Sequence, residues 1–212
     1  MNFIVIALIA ANILASLKGF KEQFFFNKYK FSVLSIQKGE QYRLFSSGFL
    51  HVDYFHLGFN MYALYLFSGT VLYSFSSVQF LLVYGVSLLA GNYLSLFVHK
   101  NDPYYSAVGA SGAVTGIVYS SIVLFPDMKL YLLLIPIPIK GYFFGIAYLL
   151  YSIYGMRNQV GNVGHTAHIG GAVAGYLLTI VMQPSVFYQH PVEVLLMAIP
   201  IVILWGLHLK KA

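Results

Sequence analysis

Ala107 to Gly116 reads AVGASGAVTG, a single serine, Ser111, set between glycines in an otherwise apolar run. In a soluble protein such a run would be an ordinary loop leading into a helix. The rest of the chain excludes that setting: it is 59% hydrophobic and 8% charged, with a mean hydropathy of +0.75, well outside the range of water-soluble domains. A membrane span needs roughly 20 apolar residues, and apolar runs with at most one charge occur at about 2–17, 56–75, 78–98, 107–125, 139–155, 165–183 and 192–209. The expected fold is all-α, a polytopic transmembrane bundle of six core spans plus a seventh, with Ser111 near the start of the fourth. The first run lacks the basic start and small-residue cleavage pattern of a secretory signal and is counted as a span. The fifth follows IPIPIKG, whose prolines, with Gly141 and Gly145, predict a short and breakable helix.

The chain contains no cysteine, which excludes disulfides, thiolate nucleophiles and thiolate metal sites. The net charge of +6 is assigned to loop lysines that set topology, since no basic face is interleaved with aromatics as nucleic acid would require. No linker or repeat divides the chain. The segment 18–55 holds six of the twelve Lys and Arg residues, yet KYKFSVL and YRLFSSGFLHVDYFHL are too aromatic for a free tether. It is expected to lie in the membrane interface, rings at headgroup depth and cationic tips in water.

Polar groups within spans are costly and therefore candidates for function. They are His56, Asn60, Ser111, Thr115, His165 and His168, with no Asp, Glu or Arg deep in a span. His56 and Asn60 are four apart, which puts both on one face of span two. Ser111 lies where unpaired backbone N–H groups and the positive end of the helix dipole favour developing negative charge. Gly112 and Gly116 form a small-residue stripe that also suits plain helix packing. In GHTAHIGGAVAGY, His168 shares a stripe with Gly171, Ala172 and Gly175. A close crossing of spans four and six could therefore set His168 beside Ser111. A serine hydroxyl needs a base to become a nucleophile, and imidazole titrates in the right range. His56, Asn60 and the Ser111 N–H would then be donors to an oxyanion. No third catalytic carboxylate is evident; Asp53 and Asp102 sit in loops, and a dyad suffices if packing holds the imidazole.

The order and placement of HLGFN, GASG and AHIGGAVAG on spans two, four and six resemble the rhomboid family of intramembrane serine proteases. The resemblance implies cleavage of peptide bonds in or near substrate transmembrane segments, with Ser111 as nucleophile, His168 as general base, and His56 and Asn60 as oxyanion ligands. It implies that Arg43, in YRLFSSGFLHVDYFH, orders the first loop without taking part in the chemistry. It divides the chain into a catalytic core over 1–183 and an added helix over 184–212. Many relatives carry a tyrosine four residues after the serine, packed on the imidazole; here that position is Thr115, and Tyr119 lies a turn further on.

Substrates are expected to be transmembrane proteins, and neither cofactor, metal nor nucleic acid is expected. Span five would act as a gate and RNQVGNVG as a flexible cap over a water-filled cavity. Ten of the twelve Lys and Arg lie on the side of loops one, three and five and the C-terminus, which a positive-inside count assigns to the cytoplasm. The resemblance assigns that side to the opposite compartment, and we follow it. With no organelle-targeting segment evident, the expected location is a bacterial plasma membrane. The alternatives are an inactive rhomboid-like binding module or chaperone, and a metal site drawn from His51, His56, His165 and His168; no H-E-x-x-H supports the latter, and His165 is read as a span-end interfacial residue.

Overall fold

The computed structural model describes residues 2–132, 135–161 and 163–209. Its long helices are α1 (Phe3–Lys21), α5 (Tyr54–Ser74), α6 (Ser77–Val98), α7 (Ser111–Leu124), α8 (Gly141–Asn158), α9 (His165–Met182) and α11 (Pro191–Leu209). Short helices α2 (Gln23–Tyr29), α3 (Val33–Gln37) and α4 (Arg43–Ser46) fold the first loop, and α10 (Ser185–Gln189) turns the chain into α11. Local sequence starts most of them. Asn2 caps α1, Asp53 accepts from the His56 N–H at 2.7 Å, and Ser76 with Gln79 forms a capping box at α6.

Three helices, α1, α6 and α9, are long and apolar enough to cross a membrane on length and composition alone. The other long helices, α5, α7, α8 and α11, complete the bundle with them. Large apolar side chains such as Phe3, Leu14, Tyr73 and Val181 point outward, a surface suited to lipid rather than water. The chain is an integral, multi-pass membrane protein.

Helix α7 is the centre of the bundle: from Gly112 to Leu124 every residue but Val118 is buried. Its 14 residues rise about 21 Å, against a hydrocarbon core of about 30 Å. At least one end of α7 therefore lies within the bilayer if the helix runs across it. The bundle closes on α7 through glycines. A Cβ on Gly171 of α9 would collide with the Gly112 carbonyl, and one on Gly175 with the Gly116 carbonyl. On the next face, a Cβ on Gly170 would lie 2.6 Å from the Ala90 carbonyl oxygen of α6. Thus α6, α7 and α9 touch backbone to backbone.

Two expectations change. Pro136 and Pro138 fall in strand β4 (Ile135–Lys140), which pairs with β3 (Lys129–Leu132) in a hairpin before α8. The helix itself runs unbroken from Gly141 to Asn158, so the prolines do not weaken it. The run 107–125 is also not helical from its start: Ser106–Ala107 forms strand β2, antiparallel to β1 (Phe31–Ser32), with Phe31 opposite Ala107.

That pairing fastens the first loop to the segment leading into α7. Arg43 is buried and donates to the carbonyls of Asn27 at 2.7 Å and Lys30 at 2.9 Å, and to Glu40 at 2.5 Å. Its hydrogen bond, followed by that of Tyr42, holds the Glu40 carboxyl below its ordinary value of 4.5. The stabilising contact is therefore present at neutral pH and lost as pH falls below about 4.5.

Gly171→Ala is expected to destabilise the bundle by about 1–3 kcal/mol, read as a lower melting temperature in detergent. Gly58→Ala, where nothing lies within 4 Å of the added methyl, should leave it unchanged. Arg43→Ala should expose residues 22–53 to limited proteolysis at pH 7, and acidification of the wild type below about 4.5 should mimic it in part.

Candidate active site

One cavity of about 960 Å³ contains Ser111, His168, His56 and Asn60 on its wall. Its wall is polar around these residues and apolar one to two turns further along the helices, at Ala63 and Phe67 of α5 and Val118 of α7, with Phe144 of α8 also lining it. Gly161, Val163 and Gly164, from the segment read as a cap, also line it; Asn162 lies outside the described residues.

The serine is held by the loop, not by its own helix. Ala110 precedes α7 without a side-chain cap, so the first N–H groups of the helix are unclaimed. The strand before it is clamped: the Gly109 N–H donates to the Ser47 carbonyl at 3.0 Å, and the Ala110 N–H donates to His51 Nε2 at 3.4 Å. Asn92 of α6 donates to the Leu44 carbonyl at 2.7 Å and to Ser47 Oγ at 3.1 Å, fixing the loop in turn. Gly109 has φ +138°, and a Cβ there would sit 3.0 Å from His56 Nε2 and 3.6 Å from Ser111 Oγ. The imidazole edge and the hydroxyl therefore flank one point, and glycine is the residue that leaves it open.

Asn60 is buried and donates one amide hydrogen to the His56 carbonyl at 2.9 Å, which fixes the amide and leaves its second hydrogen. His56 Nδ1 is buried without a partner. A proton is better placed on Nε2, the nitrogen beside Gly109, than on an orphaned Nδ1.

His168 comes from α9 one residue after Ala167, whose carbonyl oxygen would lie 3.2 Å from a Cβ on Gly112. The neighbours of Ser111 and His168 thus touch. Among the described residues the imidazole has one hydrogen-bond partner, the Tyr148 hydroxyl of α8, 2.9 Å from Nδ1. Neither candidate carboxylate is that partner: Asp53 caps α5 and Asp102 accepts from the Tyr104 N–H. Tyr119 is buried, and its hydroxyl donates to the Gly145 carbonyl instead. His165 is buried at the start of α9 with Nε2 at 3.0 Å from the Val160 carbonyl, a structural contact. No group of three or more His, Asp or Glu able to hold a metal occurs among the described residues.

Residues 38–185 match the Rhomboid domain. The chain belongs to the Rhomboid family. It is similar to RHOMBOID-like protein 12, mitochondrial, of Arabidopsis thaliana, 29% identical over 186 residues, 80% of this chain and 55% of that one. It is also similar to Rhomboid protein 1, mitochondrial, of Saccharomyces cerevisiae, 30% identical over 63% of this chain and 40% of that one. Rhomboid protease GluP of Bacillus subtilis is 33% identical over 66% of this chain and 26% of its own length. The matches thus span about a quarter to just over half of these relatives.

Two residues of this rhomboid site carry roles that sequence reasoning misses. Tyr148 is one of eighteen tyrosines and carries no local signature; only its spacing from Phe144, i to i+4, puts it on a patterned face. His51 stands out in the sequence only as a candidate metal ligand. In the structure it supports the loop instead, with Nδ1 lying 2.9 Å from Ser16 Oγ, Nε2 accepting from Ala110, and its ring meeting His56 edge-on at 4.9 Å. Burial, then the nearby His56, push it down to about 3 from an ordinary 6.5. Its neutral form contributes stability that is present above pH 6.5 and lost as pH falls toward 3. His51→Gln, which cannot titrate, should lower stability at pH 7 and flatten that dependence in pH-resolved thermal unfolding.

Proposed function

We propose that this protein is an intramembrane serine endopeptidase that cleaves peptide bonds in or near transmembrane segments of other proteins. The observation that carries the reading is the shared cavity: Ser111, His168, His56 and Asn60, from three different helices, line one space. The family membership and the similarity to a protein named as a rhomboid protease support it.

In this reading His168 Nε2 takes the Ser111 hydroxyl proton as Oγ attacks the scissile carbonyl carbon. The resulting oxyanion is met by His56 Nε2–H, the free amide hydrogen of Asn60 and the Ser111 backbone N–H, reinforced by the helix dipole. The tetrahedral species collapses as His168 returns the proton to the leaving amine. Water entering through the polar part of the cavity then hydrolyses the acyl-serine by the same steps. The apolar part of the cavity suits side chains of a substrate helix unwound at small or helix-breaking residues. Arg43 acts only through the loop it orders.

Residues 1–183 form the catalytic core in this reading and 184–212 an added helix. The loop-one face then lies outside the cytoplasm of a bacterial cell. The Bacillus subtilis relative fits a bacterial plasma membrane, whereas the Arabidopsis thaliana and Saccharomyces cerevisiae relatives are named as mitochondrial. The cationic residues on that face occur largely in a folded loop, where Arg43 is buried in its own contacts and Lys18 lies over the Phe25 ring, so a positive-inside count carries little weight there.

A fluorophosphonate probe should label the purified wild type, and Ser111→Ala should abolish labelling. His168→Ala should slow it by about 10³-fold or more. Wild type inert to the probe in both detergent and lipid would favour an inactive binding module.

A further inference from the structure

The imidazole of His168 needs a partner at Nδ1, and the structure supplies one from an unexpected helix. Tyr148 Oη of α8 lies 2.9 Å from Nδ1. The two rings are nearly parallel, 25° apart with centroids separated by 6.0 Å. On its other side the Tyr148 ring stacks on Phe144 at 5.8 Å and 21°. Thr115, one turn after Ser111 on α7, lines the same cavity as Tyr148 and His168. The phenolic oxygen thus joins α8 to α9, through Tyr148 and His168.

We infer that Tyr148 is the positioning residue for His168, standing where other serine catalysts use a carboxylate. This rests on the proposed serine-base chemistry and adds the identity of its orienting group. Its hydroxyl meets Nδ1, the nitrogen that takes no part in the proton transfer. For Nε2 to accept the Ser111 proton, the neutral imidazole must carry its own hydrogen on Nδ1. A hydroxyl oxygen at 2.9 Å accepts that hydrogen. The phenol keeps its proton, and its oxygen offers a lone pair to Nδ1–H. When Nε2 gains the serine proton, the positive charge strengthens the same Nδ1–H···Oη bond. No proton passes to the tyrosine, and the balance is one proton moved from Ser111 Oγ to His168 Nε2 and back to the leaving group.

The arrangement is specific to this packing. Tyr119 is committed to the Gly145 carbonyl one turn before Tyr148. That bond ties α7 to α8 at the level where the Tyr148 hydroxyl must be placed. Thr115 is buried and small enough to leave room for the ring from α8.

The test is the rate of fluorophosphonate labelling, resolved into the limiting rate and the half-saturating probe concentration. It uses the full chain, purified in detergent and checked for an unchanged melting temperature. Tyr148→Phe keeps the ring and removes one oxygen. Loss of one hydrogen bond that becomes charge-assisted during reaction predicts a limiting rate about 3- to 10-fold lower, with half-saturation unchanged. Tyr148→Ala should lose more, and adding Thr115→Tyr to it, which brings a hydroxyl-bearing ring to the same space from α7, should restore most of that loss. A Tyr148→Phe protein that labels at the wild-type limiting rate, or that changes only half-saturation, overturns the inference and leaves the protease reading standing. A wild type that the probe never labels overturns both.

Discussion

The structure depends on one constraint, the approach of α7 and α9 to backbone contact. Lipid tails are as apolar as the helices they surround, so burial of apolar area drives helix association far less than in water, and close packing must replace it. Gly112 and Gly116 meet Gly171 and Gly175, and α6 joins through Ser87, Ala90 and Gly91. No side chain larger than hydrogen fits at the Gly171 and Gly175 crossings. The same contacts carry Ala167 against Gly112, and so bring the residues on either side, Ser111 and His168, to the wall of one cavity. Packing and site geometry are a single requirement here, which is why a stripe of small residues runs alongside the polar ones.

A cavity within the bundle creates a second problem, because backbone polar groups near it cannot rely on lipid. Loop one answers it. The loop supplies Ser47 and His51 as acceptors for the N–H groups of Gly109 and Ala110, while Asn92 returns donors to the loop. The loop is in turn held by Arg43, whose guanidinium donates to the Asn27 and Lys30 carbonyls and so ties together the end of α2 and the residue after it. A chain of contacts thus runs from Arg43 through Ser47 to the residues just before Ser111. The serine stays uncapped on its helix side, with free N–H groups, because the capping function has been moved to the strand before it.

How much of this is legible in the sequence depends on the range of the interaction. The seven apolar runs correspond to the seven long helices because hydropathy is local and the bilayer enforces length. The i, i+4 relation of His56 and Asn60, and the small-residue stripe after His168, are equally local. What the sequence hides are contacts between elements far apart in the chain. Tyr148 reaches His168 across a helix-helix interface, and nothing in its neighbours distinguishes it from Tyr151 or Tyr154. The β pairing of Phe31 with Ala107 involves strands of two residues each, too short for any alternating pattern. The prolines of IPIPIKG are visible in the sequence, but their effect is not. A proline before a helix ends a strand or starts a turn as readily as it breaks the helix after it, and the strand that pairs with this segment, β3, carries no signal that points to it.

The seventh helix bears on the site through α8. Helix α11 packs along α8, where Met197 would lie 3.2 Å from a Cβ on Gly145, and the Tyr176 hydroxyl of α9 donates to the Val194 carbonyl at 2.8 Å. Gly145 is also the residue whose carbonyl receives Tyr119. At this one turn α8 is therefore gripped from inside by α7 and from outside by α11, three residues before Tyr148. Past Tyr148 the helix is supported from the inner side, where Gly155 packs on the His165 ring of α9, while Tyr151 and Tyr154 are exposed on the outer one.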